Sequence, residues 1–483
     1  MQIIKSLSMV IKKYVFRTCV FLSFLLIFSA NPQIACSQPS DKSETLTAYQ
    51  KLAHDIFKEL IEINTTSSRG TTRAAEAMAS RLRKAGFPEK DIQVIGPDSL
   101  HKNLVVRYHG SDKKPPVLFI CHLDVVQALP ADWTVDPFTF LEKDGYFYGR
   151  GTTDMKDEVA DMVTNLIRLK QEGNQPERDI IVALTADEEG GNANGVNWLL
   201  TQCRELIDAG FCINPDGGGG DLKNGKPTTL YVQTSEKIYA SFQLEVKNKG
   251  GHSSVPAKDN AIYRLAAGLT RIAEYDFPVR LNETTRIILE EAAAGETGQV
   301  KADLLAILKD PHNDAAAGRI AEISPWYNAM MRTTCVATMA EAGHAENALP
   351  QTARATINCR MLPDDNPENV LSTLKRVVAD TGISVTCTYS SFVAPMSLLR
   401  DDIMEPVNQI SASMWPGVKV LPAMSTGATD GKYLRRSGIP VYGISGMFDD
   451  PEDIRAHGRD ERIGVKEFYE GVEFMYRFIK ALL

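Results

Sequence analysis

Apolar positions recur at helical spacing in two early stretches of the chain. Residues 44–62 align Leu46, Tyr49, Ala53, Ile56, Phe57, Leu60 and Ile61, and residues 157–172 align Val159, Met162, Val163, Leu166 and Leu169. At 3.6 residues per turn such positions share one face, so both stretches are predicted as amphipathic helices. Short apolar runs of strand length lie at 104–108 (LVVRY), 117–121 (VLFIC), 180–185 (IIVALT) and 211–214 (FCIN). Strands alternating with helices predict an α/β domain with a central, largely parallel sheet and flanking helices.

The pattern changes after residue 237. Residues 239–247 (YASFQLEVK) alternate as an exposed antiparallel strand would, an Ala- and Glu-rich helical region covers 286–323, and a second alternating strand covers 353–360 (ARATINCR). This predicts an α+β unit, 237–365, inserted into a larger domain made of 42–236 and 366–483. The α/β pattern resumes with a helix opening at Pro367 and ends with a helix at 465–482. No internal repeat or low-complexity tract interrupts it.

Composition narrows the class. A chain of 483 residues with 43% hydrophobic and 24% charged residues has room for two or three domains with ample cores, which excludes disorder, collagen-like repeats and a disulfide miniprotein. The formal net charge is −8; residues 1–37 hold four basic residues (Lys5, Lys12, Lys13, Arg17) and no acids, so the remainder carries 49 basic against 61 acidic residues. So acidic a chain is a poor nucleic-acid binder through its overall field. The uncharged run Thr18–Ala30 is 13 residues long, short for a spanning helix of about 20 and right for a signal sequence. Ala35-Cys36-Ser37 offers small residues for cleavage near residue 37, which predicts an exported protein without a stable membrane span. An uncleaved anchor and a lipoprotein acceptor at Cys36 are the competing readings. Six cysteines remain after the leader (121, 203, 212, 335, 359, 387), with no CxxC pair and no spacing that fixes a disulfide partner.

Candidate chemistry sits where the predicted strands end. The run 117–121 leads into His122-Leu123-Asp124, 180–185 into Asp187-Glu188-Glu189-Gly190-Gly191, and 211–214 into Pro215-Asp216-Gly217. A glycine-rich turn, Gly149-Arg150-Gly151-Thr152-Thr153-Asp154, delivers Asp154 just before a helix. Each has a plain alternative: a hydrogen-bonded histidine, an acidic turn, a residue near a helix cap. Ligands in open α/β sheets collect at the carboxyl ends of strands, so the groups are expected to converge. Imidazole with several carboxylates is the donor set of a hydrolytic zinc or related divalent site.

The order HLDVV (122–126), GRGTTDMK (149–156), ADEEGG (186–191), NPDGG (214–218), KGGHSSVP (249–256), INCRMLP (357–363) and AHGRDERI (456–463) resembles the M20 family of co-catalytic zinc peptidases across roughly residues 50–480. Length, leader and insertion look most like its carboxypeptidase S-like branch. The resemblance implies two divalent ions, most plausibly Zn2+, with His122 and Asp216 on one, Glu189 and His457 on the other, and Asp154 bridging. It implies Glu188 as general base and Asp124 as the group orienting His122, although strand alternation equally allows Asp124 as a direct ligand. His252 would stabilise the oxyanion on closure or across a dimer; from the residues alone it is a turn histidine. Arg360 would pair with a substrate carboxylate. Asn347, in the looser match HAENALP, would line the substrate with the Gly427–Gly431 loop, where Gly427 and Thr429 are the candidate contacts and a solvated turn is the alternative.

Two decoys drop out. The segment 220–227 misses a phosphate-binding loop because Pro227 replaces the hydroxyl residue, and the chain has neither HExxH nor GxSxG. The expectation is therefore an exported two-metal hydrolase of small peptides with a free C-terminal carboxylate. Asp216 is one reason to favour a peptidase, since many deacylases of the family carry Glu there. The alternative is an N-acyl amino acid deacylase; a non-catalytic binding protein on the same fold is the reading from another class. A homodimer through 237–365 is the expected assembly.

Overall fold

The computed structural model describes residues 46–483; the leader, its cleavage near residue 37 and Cys36 lie outside the described residues. A six-stranded sheet forms the centre, in the order Ile92–Ile95, Asn103–Tyr108, Ile180–Thr185, Val117–His122, Phe211–Ile213, Val441–Tyr442. The last four of these run parallel, and Asn103–Tyr108 pairs antiparallel with both of its neighbours, so the sheet is mixed and mainly parallel. Helices Ala48–Glu62, Lys156–Gln171 and Val465–Leu482 pack together and share one apolar core with the sheet through Phe57, Leu166, Phe119 and Phe474. The opposite face is closed by Val196 and Leu199 of Gly195–Gln202 and by Leu434. Helix Lys156–Gln171 is buried almost all round, its polar face included, although its apolar positions share one face.

A second sheet continues from this body, in the order Lys419–Ser425, Lys226–Glu236, Gly219–Lys223, Phe448–Asp449. Strand Lys226–Glu236 runs on through Lys237 into Ile238–Lys247, which belongs to a third, fully antiparallel sheet with Thr334–Ala342, Thr352–Met361 and Ile383–Ser390. Helices Ala261–Ala273 and Pro367–Val378 cover one face of that sheet, burying Leu265, Ile272, Leu374 and Val378 against Phe242 and Ile357. Cys335 and Cys359, paired across neighbouring strands, form a disulfide.

One expectation about the inserted unit needs correction. Its end is not at residue 365: the helix opening at Pro367 and the strand Ile383–Ser390 complete its sheet and core, and the chain leaves it near residue 391. The sequence pattern misled because a helix followed by an apolar strand looks the same in either layer. The helical region 286–323 is made of several helices. It is broken into Glu283–Gly295, Gly298–Lys309, Asp314–Ile323 and Pro325–Met331, where Gly298 takes φ +60° and Pro311 and Pro325 interrupt the hydrogen-bond ladder. These helices have a small core of their own, around Leu289, Leu304 and Ile320. Ile288 and Met330 pack with Leu362 and Met424, which anchors the helices on the Lys419–Ser425 strand. No helix among the described residues is long and apolar enough to cross a membrane.

Candidate metal centre

Parallel strands end on one edge, and here that edge gathers the polar turns. His122 Nε2 lies 2.9 Å from Asp154 Oδ1, while the other oxygen of Asp154 lies 3.0 Å from His457 Nε2. The same His457 nitrogen is 2.9 Å from Glu189 Oε2. Two donor groups result, His122–Asp154–Asp216 and Asp154–Glu189–His457, each with its ligand atoms within 4.8 Å of one another, and Asp154 belongs to both. Two imidazoles and three carboxylates, with one carboxylate presenting its two oxygens to different clusters, fit a pair of divalent ions in nature and number of donors.

The electrostatics follow from crowding. Burial pushes the Asp216 carboxyl up to about 7, against the pull of His122. Burial works the same way on Asp154, but hydrogen bonds from His122 and His457 hold it well below the usual carboxylate range. Asp154, then Glu189, raise His457 to about 10. Glu188 is pushed well above its ordinary value by burial and then by Asp430 and Asp216.

Asp124 does a different job from the one expected. His122 Nδ1 meets the backbone oxygen of Asp124 at 3.0 Å, whereas the Asp124 carboxylate stands 3.8 Å from that nitrogen. Its oxygens instead accept the backbone N–H groups of Glu188 (3.1 Å) and Glu189 (3.0 Å). The buried carboxylate therefore fastens the turn that carries both glutamates. It belongs to neither metal-donor group.

Glu461, unremarked in the sequence, plays the matching part on the other side. Fully buried, it accepts the backbone N–H groups of Gly151 (3.1 Å) and Thr153 (2.9 Å) and pairs with Arg150, whose guanidinium also donates to the Gly458 carbonyl at 2.8 Å. This ties the Asp154 loop to the His457 loop. Gly151 sits at φ +90°, and a Cβ there would stand 2.9 Å from Val125, so the loop needs glycine at that point. The place of Glu461 in Asp460-Glu461-Arg462, within the motif at 456–463, was the available signal.

Beside Glu189 a cavity of about 750 Å³ is walled by Arg360, Tyr239, Tyr389, Gly427, Ala428 and Lys432. Arg360 stands 4.8 Å over the Tyr239 ring, and Nη1 donates to the Thr426 carbonyl at 3.4 Å. Lys432, missed in the sequence, is half-buried; burial opposes its charge, but Asp430 and then Glu188 hold its ammonium above the usual range. Gly427 lines the cavity as expected. Thr429 does not: its buried hydroxyl accepts from Asn214 Nδ2 (3.1 Å) and the Gly431 N–H (3.1 Å), and its own N–H donates to Glu236 at 2.5 Å. It holds the loop rather than facing the cavity.

His252 and Asn347 are brought together but not to the metal donors. The short strands Gly251–His252 and Ala348–Leu349 pair, and Ser253 N–H donates to the Asn347 carbonyl at 3.0 Å. Both residues are exposed, and His252 Nδ1 accepts from Ser254 within its own turn, at 3.1 Å from the N–H and 2.7 Å from the hydroxyl.

The sequence profile of peptidase family M20/M25/M40 matches residues 118–481. The N-fatty-acyl-amino acid synthase/hydrolase PM20D1 of Homo sapiens is 29% identical over 470 residues, covering 94% of this chain and 91% of that protein. The probable carboxypeptidase S-like 2 of Dictyostelium discoideum is 29% identical, covering 78% of this chain and 74% of its own. The crystal structure of the M20 family metallo-carboxypeptidase Sso-CP2 from Sulfolobus solfataricus superposes with a TM-score of 0.66 at 18% identity, over 89% of this chain and 99% of that one, and shares the fold. With the family's profile spanning the whole metal centre, from His122 to His457, the chain belongs to peptidase family M20/M25/M40 and is a hydrolase of that family.

Proposed function

We propose that the protein hydrolyses amide bonds of small substrates that keep a free α-carboxylate on the leaving side, using two zinc ions held by His122, Asp154, Asp216, Glu189 and His457. The observation that carries this reading is the cavity that opens directly beside Glu189 with two cations, Arg360 and Lys432, in its wall. A guanidinium grips a carboxylate with paired hydrogen bonds, and a nearby ammonium adds charge without dictating geometry. Bound zinc would supply Lewis acidity to the scissile carbonyl and to the attacking water. Glu188, on a turn fixed by Asp124, takes the water proton and returns it to the leaving nitrogen.

Peptides and N-acyl amino acids present the same leaving side. The Dictyostelium relative's name supports the peptidase reading and the human relative's the acyl reading. His252 and Asn347 take part only if the inserted unit closes, or if a partner chain supplies them, with Lys237 and the segment near 391 as the crossing points. Among the described residues the outer edge of Thr334–Ala342 is unpaired, with Val336 and Met339 60% and 70% exposed, which supports a homodimer through this sheet. Export belongs to the same proposal, and the Cys335–Cys359 bond suits an oxidising compartment. The test is a matched set of free-acid and C-terminally amidated substrates with the zinc-loaded enzyme. Turnover confined to free acids is expected; equal turnover of both would remove the carboxylate requirement.

A further inference from the structure

A second cavity, of about 660 Å³, lies at the opposite end of the metal-donor set. Asp216 borders it, as Glu189 borders the first. The two cavities flank one stretch of chain: Ser425 and Thr426 face the second, Gly427 and Ala428 the first. A substrate with its carboxylate at Arg360 and its amide across the metal pair therefore extends its other half toward Asp216. The helices of residues 283–331 contribute Ile288 and Trp326 to the wall it meets there. Ile288 and Met424 are packed into a shared core, while Trp326 and Ile454 are 45% and 69% exposed. Large apolar side chains left in water around a concavity mark a place that an apolar ligand covers.

We infer that this cavity is an acyl-chain site, in which Ile288, Met424, Trp326 and Ile454 bind the hydrocarbon of an N-acyl amino acid whose carbonyl lies at the Asp216 end of the metal centre. The inference rests on the proposed hydrolysis of free-carboxylate amides and adds which half of the substrate sets the preference. The cavity also holds Asp221 and Asp449, which raises the rival occupant, the ammonium of a dipeptide. Asp221 is already engaged, accepting the Tyr231 hydroxyl at 2.8 Å. Trp326 and Ile454, by contrast, leave exposed apolar surface at the cavity.

The experiment is a series of N-acyl derivatives of one amino acid, from acetyl to hexadecanoyl, with the matching dipeptide, on the zinc-loaded enzyme. The expected result is a kcat/KM that rises about two- to fourfold per added methylene until the cavity is filled, fourfold being about 0.8 kcal/mol. Trp326→Ala and Ile454→Ser should each lower the ratio of long-chain to acetyl kcat/KM by on the order of tenfold. Ile323→Ala, an exposed apolar change on the same helices that does not line the cavity, should leave the ratio alone. A flat chain-length profile, or a ratio unmoved by both cavity variants, would overturn the acyl site while leaving the amide hydrolysis standing. A dipeptide that outperforms every acyl substrate and fails with Asp449→Asn would overturn it in favour of ammonium recognition. Absence of hydrolysis for every free-carboxylate amide would overturn both readings together.

Discussion

His122 and His252 carry the same side chain in opposite settings. His122 is 3% exposed at the end of a strand buried along its whole length, with Nδ1 fixed by a backbone carbonyl and Nε2 aimed at Asp154. His252 is exposed on a two-residue strand and bonds only within its own turn. The contrast extends to their regions. The metal-donor end is cross-tied by buried carboxylates, Asp124 under the glutamate turn and Glu461 under the Asp154 loop. The recognition end is assembled from three separate pieces: the antiparallel sheet, the 425–432 loop and the 283–331 helices. Donors that must hold a fixed geometry sit where the scaffold is over-determined; groups that must adapt to a substrate sit where pieces meet.

The sharpest way to break this contrast is Asp154→Ala, because Asp154 is the one residue shared by both donor groups. Metal content of the purified variant should fall for both ions, and hydrolysis should fall by more than the ~10²–10⁴-fold that loss of a general base costs. His457→Ala should weaken mainly the group it shares with Glu189. An Asp154→Ala protein that keeps two ions and wild-type activity would refute the shared-ligand assignment.

Glu188→Gln comes next. It keeps the Asp124 anchor, which binds the backbone rather than the side chain, so fold and metal content should persist. A loss of ~10²–10⁴-fold in kcat is expected, and retention of more than about a tenth of wild-type kcat would place the base elsewhere.

The difference between the two regions also explains what could be read from the sequence. The donors follow strand ends, and a short apolar strand leading into His-Leu-Asp or Asp-Glu-Glu is visible without coordinates. The supporting contacts were not, because Asp124 and Glu461 act on backbone N–H groups far away in sequence, and nothing local marks that. The end of the inserted unit was misplaced for a related reason: an amphipathic helix at Pro367 and a strand after it carry no label for the sheet they join. Strand Lys226–Glu236, the longest among the described residues, was missed because Lys-Pro-Thr-Thr opens it without an apolar alternation. Lys432 and the acyl-side wall needed the loop and the helices placed in space.

Arg360 tests the recognition end. Arg360→Ala should lower kcat/KM for a free-acid substrate roughly ten- to a hundredfold, the scale of one lost charge-assisted hydrogen bond. Amidating the substrate should cost the wild type a similar factor and the variant little more, since both changes remove the same pairing. Additive losses would show that the carboxylate is held elsewhere, with Lys432 the first alternative to examine in the same cycle.

The smallest effect should come from beneath the metal-donor end, where helix Lys156–Gln171 buries Asp157, Glu158 and Asp161. Burial pushes Glu158 up from an ordinary 4.5 to about 7; its Oε1 accepts from Ser445, and Asp161 is a second hydrogen-bonding neighbour. Asp157 and Asp161 are raised as well, first by burial. A raised carboxyl pKa means that the folded chain holds a proton which the unfolded chain releases once the pH passes its ordinary value. The contribution of Glu158 is thus fully present below about 4.5 and declines as the pH rises to about 7, beyond which the ionised group is a buried liability. Glu158→Gln keeps the neutral shape and removes the proton. Its melting temperature relative to the wild type should therefore improve between pH 5 and pH 8, by an amount on the order of 1–3 kcal/mol in stability. Thermal unfolding of the two proteins across that range decides it. Parallel curves would mean that Glu158 is accommodated as a carboxylate, and that the scaffold under the metal donors is more polar than its burial implies.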